Sequence, residues 1–179
     1  VGCLRNGTAT IGDNKTCSFG RHGLARRLEF DLVSSSDTSI TYSLKANDKT
    51  KEQYPYDFEL QMTYELTEHG VKVSHTVINH DSVVMPYCVG GHPAFNCPVF
   101  ENESFEDYIV EFEQPENAAC AQLTEDGLIN NADRVSVLEN EAVIPVRHSL
   151  FYKDALVFDA LKSRKVALKH KKTGHGILV

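Results

Sequence analysis

Three stretches of this chain hold side chains that can move protons or grip hydroxyl groups. His92 stands between Gly90-Gly91 and Pro93, so its backbone is open on one side and stiff on the other. An imidazole with an ordinary pKa near ~6.5 gives or takes a proton around neutrality. The same surroundings also suit a loop histidine that only bonds backbone. Arg21-His22-Gly23-Leu24-Ala25-Arg26-Arg27 is the second stretch. Its guanidinium forks match sugar hydroxyls or an anionic group, and a basic turn ahead of a strand at Leu28 is the plainer alternative. The third is Asp154, read as standing directly before an apolar strand, Ala155-Leu156-Val157-Phe158. A carboxylate there can accept from two vicinal hydroxyls, or it is simply a turn residue.

The remaining histidines carry no recognisable chemistry. His75 falls on the apolar face of an alternating run, as a core histidine with a satisfied bond would. His69, His80, His148, His170 and His175 fall at turns or strand ends. No pair has the H-x-x-x-H spacing of a metal site, so no metal is expected. There is no G-x-S-x-G elbow, no G-x-G-x-x-G and no phosphate loop. Five cysteines, an odd number with no C-x-x-C pair, read as reduced thiols in a cytosolic protein.

The elements that must position these groups repeat with a period of two. Tyr56, Phe58, Leu60, Met62, Tyr64 and Leu66 alternate with polar residues, which predicts a long strand with one buried face. Glu68-His69-Gly70 reads as a hairpin turn, and Val71, Val73, His75 and Val77 line one face of its antiparallel partner. Shorter alternations occur at Leu28, Phe30, Leu32; at Ile40, Tyr42, Leu44; at Tyr108, Val110, Phe112; and at Val166, Leu168. Turn-forming stretches separate them at 34–37, 47–51, 79–82 and 130–133. No segment has a sustained 3.6 period with caps; a single helical turn fits only near 115–120. The expectation is one all-β domain over 1–179, an antiparallel β-sandwich, without repeat or linker. Met85 to Pro98 breaks the pattern with three prolines and two adjacent glycines, which suits a segment that presents a side chain to a cleft.

Composition narrows the class. The 179 residues are 41% hydrophobic and 24% charged, which is ordinary for a globular domain. The formal net charge of −7 argues against a nucleic-acid partner. No run of ~18 apolar residues is present to form a membrane-spanning helix, so no membrane partner is expected and a cytoplasmic location is.

The stretches appear in an order that resembles the aldose 1-epimerase (galactose mutarotase-like) family. Arg21 to Arg26 is similar to that family's R-H-G-F-A-R signature, with Leu24 in place of Phe. Tyr54-Pro55-Tyr56-Asp57-Phe58 resembles the segment opening its central strand pair. Gly90-Gly91-His92-Pro93-Ala94-Phe95-Asn96 resembles its most characteristic motif, G-G-H-P-A-F-N, and Asp154 to Phe158 resembles D-A-L-[IV]-F. The likeness runs through the whole chain and leans toward the branch encoded beside lactose-utilisation genes. It implies a galactose mutarotase-like supersandwich and interconversion of sugar anomers by proton transfers alone, with no cofactor. His92 would be the acid; His22, Arg26, Asn96 and Asp154 would hold the sugar, which is the expected partner of a monomer or homodimer. The family's glutamate base stands in an E-P-W-like segment beyond D-A-L-[IV]-F, and this chain has no Trp. The resemblance therefore places the base beyond Val179 and presents the chain as a fragment lacking strands at both ends. Two other readings stay open. One is a hexose-6-phosphate 1-epimerase, with Arg26 and Arg27 pairing a phosphate. The other is a non-catalytic sugar-binding domain.

Overall fold

A computed structural model of the chain describes residues 2–179 and divides into two compact units, one ending at His92 and the other running from Pro93 to Val179. In the first unit, a hairpin of β1 (Thr8–Ile11) and β2 (Lys15–Ser18) precedes a four-stranded antiparallel sheet. That sheet has the order β3 (Asp31–Ser35), β4 (Ser39–Lys45), β5 (Phe58–Thr67), β6 (Gly70–Asn79). The alternation predicted for 56–66 and 71–77 is realised as β5 and β6. Their register sets Leu60 between Leu44 and Val77, and Met62 between Tyr42 and His75. One face of the sheet is thus largely apolar, interrupted by His75 opposite Met62 and Asn79 opposite Phe58.

Burial of that face is uneven. Next to β1–β2 it packs into a core of Cys17, Leu44, Tyr54, Tyr56, Phe58 and Met85. At the hairpin end, Leu66 and Val71 are 58% and 59% exposed, and Tyr64, Val73 and Leu32 are exposed as well. The expectation of one buried face therefore holds for half of the strand pair, and His75, midway along it, is only half-buried. The opposite face carries a polar knot. Glu59, buried, accepts from Ser43 Oγ and Gln61 Nε2, both at 2.8 Å, and meets His80 Nε2 at 3.3 Å.

The second unit holds another four-stranded antiparallel sheet, ordered β10 (Gly176–Leu178), β9 (Val166–His170), β7 (Tyr108–Leu123), β8 (Ile129–Pro145). Phe112, Leu138 and Ile144 form its core, with Leu156, Phe158 and Leu161 packed against them. Glu116, also buried, ties the 162–163 backbone to β7 by accepting from Lys162 N at 3.0 Å and Ser163 N at 2.6 Å.

Several local expectations are corrected. Residues 115–120 are part of β7, not a helical turn; Pro115, which has no N–H, falls where the β7–β8 register shifts between Glu111 and Glu116. Residues 130–133 lie inside β8, an edge strand that tolerates polar residues. The turn is instead at 124–128, where Gly127 takes a φ of 74°. The stretch 47–51 contains the start of α1 (Asp48–Gln53), a helix of six residues. Asn47 caps it through a reciprocal bond with the buried Thr50. It is too short for a helical period to show. No helix among the described residues is long and apolar enough to cross a membrane.

Candidate active site

His92 lies in a segment without regular structure that begins at Val84 and continues past it to Asn96. The segment is pinned at its start. Asn79 Nδ2 donates to Val83 O at 2.8 Å, the Met85 side chain is buried in the core, and Tyr54 Oη donates to Pro86 O at 2.7 Å. From Pro86 onward every residue to His92 is exposed. The density of Pro and Gly that marked this stretch in the sequence thus produces an ordered root and a presented tip.

The Arg21–Arg27 stretch forms a second irregular arm. Leu24, Ala25 and Leu28 pack against the core that holds Met85, and 25–27 make one 3-10 turn with Arg26 and Arg27 exposed. His22 N donates to Gly2 O at 2.9 Å. Both His22 and Gly23 are left-handed, with φ of 73° and 78°. Glycine adopts that conformation freely; histidine does so at a cost. The arm sets the His22 ring edge-on to His92, with centroids 5.4 Å apart and planes 63° apart.

The electrostatics of the pair are asymmetric. Burial lowers the His22 pKa, and the nearby charges of Arg26, His92 and Arg21 lower it further. Both effects favour the neutral imidazole of His22, and its Nδ1 is buried without a hydrogen-bond partner. A neutral ring next to His92 can accept or donate a hydrogen bond without opposing a proton on His92.

Asn96 and Asp154 belong to the second unit, and both are exposed. Asp154 is left-handed, φ 75°, and its Oδ1 accepts from Ala155 N at 2.8 Å. The strand expected after it is absent. Residues 155–158 make a single bridge, Val157 to Ala121, so Asp154 sits in a bend rather than at a strand edge. Of the non-glycine residues with positive φ among those described, three are asparagines and the other two are His22 and Asp154.

Sequence reasoning passed over a second polar cluster. Tyr108, fully buried, receives Val99 N on its hydroxyl at 2.9 Å, donates to Glu103, and meets His175 Nε2 at 3.1 Å. His175 Nε2 lies 3.0 Å from Glu103 Oε1, and Thr173 Oγ1 bridges His175 Nδ1 and His170 Nδ1. Burial raises the Glu103 pKa, but the bonds from Tyr108 and His175 outweigh it and hold the carboxyl below the usual range. His170 and His175 looked unremarkable at strand ends, because nothing local announces partners as distant as Glu103 and Tyr108. All five cysteines are free thiols, and only Cys88 is exposed.

The sequence model of the aldose 1-epimerase family matches residues 4–179. The chain is 40% identical over 161 residues to the plasmid and chromosomal LacX proteins of Lactococcus lactis subsp. lactis, a match covering 89% of this chain and 54% of theirs. It thus spans about half the length of those relatives. Among solved structures it resembles a galactose mutarotase related enzyme from Lactobacillus acidophilus, at 29% identity and a TM-score of 0.85, covering 96% of this chain and 57% of that one. A galactose mutarotase-like protein from Lactobacillus casei is similar at 28% identity and a TM-score of 0.85, covering 99% and 60%. The fold is accordingly the antiparallel, all-β one of these galactose mutarotase-like β-sandwich proteins.

Proposed function

Because the chain belongs to the aldose 1-epimerase family, we propose that the protein interconverts the α and β anomers of a free hexose, with His92 as the general acid. His92 gives its proton to the ring oxygen as the C1–O5 bond breaks and the C1 hydroxyl loses its own proton, leaving an open-chain aldehyde. Rotation about C1–C2 presents the other carbonyl face. The ring oxygen then attacks C1 and returns its proton to His92, as the C1 oxygen takes back its own proton from the base that had accepted it. A positioned acid of this kind contributes about 10²–10⁴-fold. The reaction also needs a base at the C1 hydroxyl, a role none of the five assigned residues carries. No bond to a cofactor or metal enters the cycle.

The observation that supports this reading is the ring contact between His22 and His92. It joins two motifs far apart in sequence, and His22 is held neutral beside the proposed acid. His22 and Arg26 orient the sugar. Asn96 and Asp154 take sugar-hydroxyl roles on the strength of their motifs, and the left-handed backbone of Asp154 is of the kind that gathers at functional sites. The free thiols support a cytoplasmic location.

The test is polarimetry. Freshly dissolved α-D-glucose or α-D-galactose is mixed with the full-length protein in a buffer that is itself a weak catalyst, which excludes phosphate. Rotation should relax faster with the parent and not with His92→Asn. Equal acceleration by the variant would remove His92 from the mechanism. Sugar binding by calorimetry without any acceleration would turn the reading into a carbohydrate-binding protein. The exposed Arg26 and Arg27 on one turn favour a second reading, a hexose-6-phosphate substrate. It predicts tighter binding of the phosphorylated sugar than of the free one, and equal or weaker binding ends it.

A further inference from the structure

We propose that Tyr54 is a positioning residue that sets the spacing of His22 and His92 by touching both arms that carry them. Its ring packs against Phe19, with centroids 6.0 Å apart, three residues ahead of His22. Its hydroxyl donates to the carbonyl of Pro86, six residues ahead of His92, at 2.7 Å. Tyr54 itself has little freedom. It is 8% exposed, and its amide closes α1 by donating to Thr50 O at 2.8 Å. Its ring is held between Tyr56 and Phe58, at 4.9 and 5.6 Å.

The direction of the hydroxyl is therefore dictated by the buried ring, and the fixed φ of proline removes one degree of freedom from the backbone that carries the acceptor. Burial pushes the Tyr54 pKa up to about 12, with Tyr56 and Cys17 adding to the effect, so the hydroxyl remains a donor throughout the neutral range. Pro86 O anchors the His92 arm just before its exposed tip. Without it, the arm keeps the Met85 side chain in the core but loses the bond that orients the backbone leading to His92.

The kinetic part of this inference rests on the mutarotase reading; a spectroscopic part does not. In full-length protein, Tyr54→Phe keeps the ring and deletes the donor. Leu44→Val, a truncation in the same core on strand β4 rather than on either arm, is the control for a simple loss of stability. The histidine Cε1–H resonances of His22 and His92, assigned by substitution, report the ring contact directly. The expected result is that Tyr54→Phe shifts both resonances and lowers kcat about tenfold, with KM changed by less than about twofold. Leu44→Val should lower Tm while leaving resonances and kcat in place. Unshifted resonances in Tyr54→Phe overturn the proposal, whatever happens to kcat. So does Leu44→Val if it reproduces the shifts and the kcat loss. If the parent shows no mutarotation, the mutarotase reading fails separately, and the resonances alone decide the role of Tyr54.

Discussion

The imidazole of His22 stands edge-on to that of His92, with 5.4 Å between ring centroids, on two arms that leave one buried aromatic core. Each arm is irregular, and the two residues that meet come from the motif proposed to supply the acid and the motif proposed to bind the sugar.

His22 makes the folded state sensitive to mild acid. Burial first, then Arg26, His92 and Arg21, lower its pKa below 6.5. The folded protein thus binds this proton more weakly than the unfolded chain. Its neutral ring costs no stability above pH 6.5, and stability falls as pH drops from there toward the lowered value. His22→Gln should flatten that decline in urea titrations run from pH 7.5 to 5. An unchanged slope would show that His22 titrates alike in both states.

Glu59 acts at lower pH. Bonds from Gln61 and Ser43, opposed by burial and helped by His80, bring its pKa from 4.5 to about 2. A depressed carboxyl stabilises the fold above its unfolded value and ceases to do so as pH falls through the folded one. Acid unfolding between pH ~4.5 and ~2 should therefore be less steep in Glu59→Gln than in the parent. Identical acid limbs by circular dichroism would contradict this.

Gly12 is required sterically. It turns the β1–β2 hairpin with a φ of 45°, and a Cβ there would run into the Tyr56 hydroxyl, with Pro86 Cδ at 3.6 Å. Tyr56 cannot retreat easily. It is 1% exposed, and Lys15 Nζ lies 4.0 Å above its ring while donating to Pro55 O. Gly12→Ala should cost about 1–3 kcal/mol in denaturant unfolding from backbone strain and overpacking. A neutral substitution would mean that the hairpin can slide over Tyr56.

In the second unit, Leu138 is 1% exposed and packs with Phe112 and Ile144. Leu138→Ala should lose about 2–5 kcal/mol by calorimetry or denaturation. A loss below about 1 kcal/mol would show that the site collapses around the smaller side chain.

The strands were legible where alternation was long. Phe58 to Leu66 and Val71 to Val77 announce β5 and β6 and their facing register, because a half-buried sheet imposes a period of two. What escaped was whatever tertiary context decides. Asn47 to Lys51 reads as a turn until Thr50 is buried and completes a helix cap. Pro115 and residues 130–133 look like breakers but are accommodated at a register shift and on an edge strand. At the candidate site, His22, Arg26 and His92 stood out by residue type and motif. Their contact did not, since it depends on Tyr54, Phe19 and Met85 closing a core between arms distant in sequence. The Glu103–Tyr108–His175 cluster was invisible for the same reason: each member is ordinary locally, and only the pairing of β7 with β9 brings them together.

Cys88 lies on the exposed part of the His92 arm, two residues past the Pro86 anchor, while Cys17 and Cys120 are buried and Cys3 and Cys97 half-covered. The protein thus carries its own labelling handle. A brief, limiting dose of a thiol-directed fluorophore would mark the arm in preference to the core. The emission of that dye would then report in real time whether a sugar arrives at the proposed site around His92, without a single engineered residue.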